Sequence, residues 1–137
     1  MNNKVLEEQI KEQIELVSRE VISKLDFSNY KVSEFPKDLW KLWSLVFLDI
    51  SNNELEELPP EISQLTNLRY LYIRGNKLLK IPSEITSLGK LRVLDLTGND
   101  LSELPHEIGK LKELRVLSVS GNKLQKFPSQ IDRKSVV

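Results

Sequence analysis

A spacing of 23 residues constrains this chain more than anything else in it. Segments beginning at Leu45, Leu68, Leu91 and Leu114 return the same chemistry at the same offsets. In each, the first leucine is followed three and five positions later by an apolar pair: Leu48 and Ile50, Leu71 and Ile73, Leu94 and Leu96, Leu117 and Val119. Such alternation predicts a short strand with one buried face. Three residues on stands an asparagine, Asn53, Asn76, Asn99 or Asn122, and two further an apolar residue, Leu55, Leu78, Leu101 or Leu124. Then comes an apolar residue followed by proline: Leu58-Pro59, Ile81-Pro82, Leu104-Pro105 and Phe127-Pro128. Proline ends any regular hydrogen-bonded run there. Ile62 with Leu65, Ile85 with Leu88 and Ile108 with Leu111 lie three apart, which suits one or two turns of α- or 3₁₀-helix on a return path. An earlier copy begins at Ile22, with Leu25, Phe27, Val32, Phe35-Pro36, Leu39 and Leu42 in the same positions; only Tyr30 breaks the asparagine column.

A unit of this size cannot enclose a core alone. Each strand must stack on the next, about 4.8 Å away, with the helical turns on the opposite side. Helical segments need about 8 to 10 Å between axes, so the stack curves with its sheet inside. The expected fold is therefore an α/β solenoid: a right-handed curved stack with a parallel concave sheet and helical or 3₁₀ turns on the convex side. Its units are 22–44, 45–67, 68–90, 91–113 and an incomplete 114–137, in which Lys134 stands where the others place leucine. The asparagines sit where the chain leaves the sheet, and a buried amide there can satisfy turn backbone of its own and adjacent units. They read as a structural ladder. Gly75, Gly98 and Gly121 immediately precede ladder asparagines and fit the exit turn, not a phosphate cradle.

Residues 1–21 form the other predicted unit. Leu6, Ile10, Ile14, Val17 and Val21 recur at helical spacing from Asn3 to Val21, with charged residues between them. This amphipathic helix is expected to cap the first strand's open edge; the alternative is a partner-binding or self-associating helix. Past Ile131 the sequence is too short for a second capping helix. It reads as a fragment of a longer protein, with an end that meets a partner or a weak cap by the last residues as alternatives.

The pattern L-x-x-L-x-L-x-x-N-x-L-x-x-L-P-x-x-I-x-x-L resembles the leucine-rich-repeat family over roughly Ile22 to Ile131. Its LP-x-x-I ending and repeat length are similar to the intracellular subclass that includes Ras-pathway scaffolds and cell-polarity proteins. The resemblance implies a scaffold or regulatory adaptor. Leu39-Trp40-Lys41-Leu42 also resembles the repeat segment of messenger-RNA deadenylases, where such repeats precede a nuclease domain and recruit a second subunit. That likeness implies an alternative: the N-terminal recruitment segment of a larger enzyme, with catalysis encoded beyond Val137. Extracellular members commonly cap their ends with disulfides, and this sequence has no cysteine.

Twenty basic and twenty acidic residues cancel, so no overall field draws in a polyanion, and direct nucleic-acid binding is not expected. No apolar run is long enough to span a bilayer, and there is no Asn-x-Ser/Thr sequon, so a cytoplasmic or nuclear setting is expected. Chemistry has little to work with. His106 is the single histidine, and Asp26, Asp49 and Asp95 share one repeat column. No catalysis, cofactor, metal or small-molecule substrate is expected.

Binding has more support, because residues flanking the buried pair of each strand must face the concave surface. The third position holds Lys24, Phe47, Tyr70, Val93 and Val116; the fifth holds Asp26, Asp49, Tyr72, Asp95 and Ser118; the seventh holds Ser28, Ser51, Arg74, Thr97 and Ser120. Phe47, Tyr70, Tyr72 and Val93, extended by Val116, are predicted to form the apolar centre of a protein-binding face, with Arg74, Asp49 and Asp95 fixing orientation. Arg69, Arg92 and Arg115 form a basic row expected to face the aspartates. Trp40 and Trp43 are read as a second, convex patch, or as packing against the capping helix.

Overall fold

A computed structural model describes residues 3–19, 22–126 and 135–136. Helix α1 (Asn3–Ser18) is followed by six short strands: β1 (Lys24–Asp26), β2 (Phe47–Asp49), β3 (Tyr70–Tyr72), β4 (Val93–Asp95), β5 (Val116–Ser118) and β6 (Ser135–Val136). Between them run four 3₁₀ helices: η1 (Lys37–Lys41), η2 (Pro60–Gln64), η3 (Ser83–Ser87) and η4 (His106–Lys110). The strands form one parallel sheet in chain order. From β1 to β5 the pairing follows the repeat: Lys24 lies beside Phe47, Phe47 beside Tyr70, Tyr70 beside Val93 and Val93 beside Val116.

Each unit folds as its local chemistry dictates. The carbonyl of the proline before each 3₁₀ helix accepts its first bond, as Pro59 C=O does from Ile62 N–H at 3.1 Å. With about three residues per turn, side chains three apart eclipse. That is why Ile62 with Leu65, Ile85 with Leu88 and Ile108 with Leu111 all enter the core. The middle leucine of each strand, Leu25, Leu48, Leu71, Leu94 and Leu117, is buried from the other side. Leu6, Ile10, Ile14 and Val17 of α1 join the same core, so the helix face covers the start of the stack; Val21 lies outside the described residues.

At the far end the sequence leaves open a fragment, an end that meets a partner, or a weak cap by the last residues; in the structure Ser135 pairs with Val116 and Val136 with Leu117, so a short sixth strand lies against β5. The step from Val116 to its partner is 19 residues, not 23, so the chain returns to the sheet early. Pairing satisfies backbone groups of β5 that an open edge would leave exposed. Phe127-Pro128, Ile131 and Lys134 fall outside the described residues.

The asparagine column holds successive units together. Asn76 Nδ2 donates to the carbonyls of Ile50 at 3.0 Å and Arg74 at 3.2 Å, with a longer contact to Ile73 at 3.4 Å. Its Oδ1 accepts from Leu55 N–H at 3.0 Å. Asn53 also donates to Ile50 O, and Asn99 to Ile73 O, while Asn99 and Asn122 share Leu96 O. The result is a continuous chain of amide and carbonyl groups running along the stack. It also accounts for Tyr30. Each ladder asparagine reaches back to the unit before it, Asn53 to Phe27 O and to Tyr30 and Val32 N–H. The first unit has no predecessor to serve, so its column residue instead packs its ring 5.6 Å from Phe27.

The exit turn explains the neighbouring column. Asn29, Asn52, Gly75, Gly98 and Gly121 all take positive φ, between 55° and 71°, a region that glycine and asparagine tolerate best. At Gly121 a Cβ would also come within 3.3 Å of the Gly98 backbone nitrogen.

Replacing Asn76 by alanine strands a buried N–H and weakens donation to two carbonyls, so unfolding in urea should show a loss of about 2 to 4 kcal/mol. Asn122→Ala, at the half-exposed end of the ladder, should cost less than half as much. Equal losses would contradict a ladder whose strength comes from burial.

Candidate functional site

Strand alternation turns Phe47, Tyr70, Tyr72, Val93 and Val116 to the sheet's concave face, where all five are half-buried. Three of them meet. The Phe47 ring lies 6.4 Å from Tyr70, its direct neighbour across the strands, and 5.4 Å from Tyr72, its diagonal neighbour. Lys24 Nζ stands 4.5 Å above the other side of the Phe47 ring, within range of a cation–π attraction. Lys24 was not among the predicted site residues, although it shares the third repeat position with Phe47. The valines continue the same row across β4 and β5.

The aspartates do something else. Asp26 Oδ1 accepts from Ser28 N–H and Oγ–H at 2.9 and 2.6 Å, and Asp95 Oδ1 from Thr97 N–H and Oγ1–H at 3.1 and 2.6 Å. Asp49 Oδ1 accepts from Ser51 N–H at 2.9 Å. Each closes a turn two residues past its strand, a local bond that short acidic side chains make readily. Asp49 and Asp95 are thus first of all strand terminators. Asp95 Oδ2 remains for Arg74, at 3.6 Å. Ser51, in the seventh position, is buried and accepts from Arg74 N–H at 3.1 Å, so that column is partly scaffold.

The arginine row does not face the aspartates. Arg69, Arg92 and Arg115 immediately precede their strands, whereas the aspartates end theirs. Three residues of extended chain put about 10 Å between the two positions. Among the described residues, the ion pair that reaches a strand aspartate comes from Arg74.

The two tryptophans also part company. Trp40 is 5% exposed and belongs to the core, so it is not half of an exposed pair; Trp43 is 57% exposed. Trp43 lines a cavity of about 350 Å³ with Lys11, Ile14, Glu15 and Ser18 of α1. His106 opens η4 at an exposed position. Among the described residues no three His, Cys, Asp or Glu side chains gather where a metal ion could sit.

This geometry suits contact with another macromolecule: a half-buried aromatic centre on a rigid sheet, flanked by charge. Comparisons with known proteins agree with the fold. Residues 66–124 match the family profile described as Leucine rich repeat, and residues 43–88 match Leucine Rich repeats (2 copies). Residues 43–124 thus match leucine-rich repeats, and the fold is a leucine-rich-repeat solenoid. Similar solved structures include a leucine-rich-repeat protein of Leptospira interrogans, 28% identical with a TM-score of 0.71, covering 90% of this chain and 39% of that one. Internalin C2 from Listeria monocytogenes is 21% identical with a TM-score of 0.75, covering 90% and 53%. The BIR2 ectodomain from Arabidopsis thaliana is 27% identical with a TM-score of 0.71, covering 82% and 65%. The chain spans less than two thirds of the length of each. No curated protein matches it significantly. Leucine-rich-repeat folds commonly mediate protein–protein interaction.

Because Asp95 closes a turn while Arg74 is largely exposed, the two halves of their ion pair should differ in stability. Arg74→Ala is expected to change the unfolding free energy by less than about 0.5 kcal/mol. Asp95→Ala should cost about 1 to 2 kcal/mol through the bonds it strips from Thr97. Denaturant titration of both variants checks this, and equal effects would refute it.

Proposed function

We propose that this chain is a non-catalytic protein-interaction module, of the scaffold or regulatory-adaptor kind, that receives a protein partner on its concave face. The observation that carries this reading is the contiguous group of Lys24, Phe47, Tyr70 and Tyr72, two tyrosine rings within 6.4 Å of the Phe47 ring with a cation above it. Rigid aromatic side chains give large contact area at low entropic cost, and such residues dominate interface energetics. Val93 and Val116 extend the apolar strip, and Arg74, held by Asp95, orients the partner at its margin. We place the working protein in the cytoplasm, in keeping with the absence of cysteine from a fold whose extracellular members commonly use disulfides.

The test is affinity capture followed by mass spectrometry, comparing the chain with its Tyr70→Ala/Tyr72→Ala variant. Both tyrosines are half-buried on the concave face of the sheet and not in the core, so circular dichroism should show an intact fold. A specific partner should be retained by the parent chain and lost by the variant, a fall of at least about thirtyfold if the pair contributes 2 kcal/mol or more. Equal recovery of every partner by a folded variant would remove the site from this face.

A further inference from the structure

A second concavity lies off the sheet, on the turns that descend from the first two strands and between η1 and η2. It holds about 780 Å³. Its origin can be traced to one side chain. The repeat position of Trp40 is taken by Ser63, Thr86 and Gly109 in the next three units. Small residues there let η2, η3 and η4 pack closely, whereas η1 and η2 approach each other less. The Trp40 indole fills part of the space between them and forms one wall of the groove, with Phe35 and Pro59 beside it.

Two further features mark this groove as unfinished surface. The first is Leu79, 61% exposed at its rim, in a position filled by Ser33, Glu56, Ser102 and Gln125 elsewhere. The second is charge. Glu34, Glu54, Glu56, Glu57 and Glu61 line the groove, and none forms an ion pair among the described residues. Against these five carboxylates stand Lys37, Lys77 and Lys41, the last already engaged with Asp38 at 3.3 Å. The whole chain is neutral, so this acidity is local to the groove. An excess of carboxylate around an apolar floor repels phosphate and favours cations that carry an apolar group.

We propose that the groove is a docking site for a basic segment of a second protein, distinct from the concave face. An apolar side chain of that segment covers Leu79 against the Trp40 wall. Its lysine or arginine side chains meet the five glutamates.

The experiment uses the full chain carrying Trp43→Phe, which leaves Trp40 as its single indole reporter. A short peptide of alternating lysine and leucine is titrated against Trp40 fluorescence, beside matched glutamate–leucine and lysine–serine peptides. The lysine–leucine peptide should shift the Trp40 emission, bind best of the three and weaken with added salt. Leu79→Ser, and separately Glu56→Lys/Glu57→Lys, change exposed residues and should leave the far-ultraviolet circular dichroism unchanged. Each should lower affinity by about tenfold, while Tyr70→Ala/Tyr72→Ala leaves it within about twofold. The proposal is overturned if the glutamate–leucine peptide binds as well, if either groove variant keeps parental affinity, or if the tyrosine variant loses it. Sedimentation equilibrium supplies the remaining arm. A dimer that Leu79→Ser dissociates would give the groove to a second copy of this chain and would overturn the assignment to a basic segment.

Discussion

The asparagine ladder is the interaction on which the rest of this structure depends. A chain that leaves a strand after three residues and turns away from the sheet carries backbone N–H and C=O groups into the interior with no strand to pair them. Buried backbone groups left unpaired cost about 1 to 3 kcal/mol each. One primary amide per unit, with donors and an acceptor on opposite sides, serves the unit's own turn and its predecessor's at once. Because Ile50, Ile73 and Leu96 carbonyls each accept from two successive asparagines, no unit's turn is satisfied alone. Bonds linked in this way polarise one another and act together. Stacking is thus enforced by hydrogen bonding as well as by the leucine core.

That constraint sets what the concave face can be. Strands of three residues expose two outward positions each, and their spacing is fixed by the ladder and by parallel pairing. A fixed lattice presents Phe47, Tyr70 and Tyr72 with little freedom left to lose on binding, which favours affinity by pre-organisation. The aspartates belong to the same device from the other side, closing the turn at the strand's end so that the asparagine can enter it.

Much of this was legible in the sequence because the signals are local and repeat. The leucine columns gave the core, the i, i+3 apolar pairs gave the 3₁₀ return, and the third and fifth positions gave the aromatic group. Other features were readable but required comparison between columns. Asp-x-Ser/Thr occurs at Asp26, Asp49 and Asp95 and marks turn closure; Trp40 stands among Ser63, Thr86 and Gly109, while Trp43 stands among Thr66, Gly89 and Lys112. Those neighbours separate a wedge between helical turns from a residue on an exposed corner. Strand β6 was not legible, because its return breaks the repeat and two residues carry no period. The approach of Lys24 to Phe47 likewise depends on where a flexible side chain comes to rest, which no spacing encodes.

The central claim is that the asparagine amides hold the turns as firmly as the strands hold each other. Native-state hydrogen exchange at single-residue resolution tests it most directly, at the backbone N–H groups of Leu55, Leu78 and Leu101, which donate to Asn76, Asn99 and Asn122. Their protection should match that of Ile73 and Leu96, whose N–H groups bond across the sheet at 2.8 and 2.7 Å, and should be lost in the same global opening. Exchange of the three leucine amides by local opening, at the rate of the exposed turns, would contradict the account.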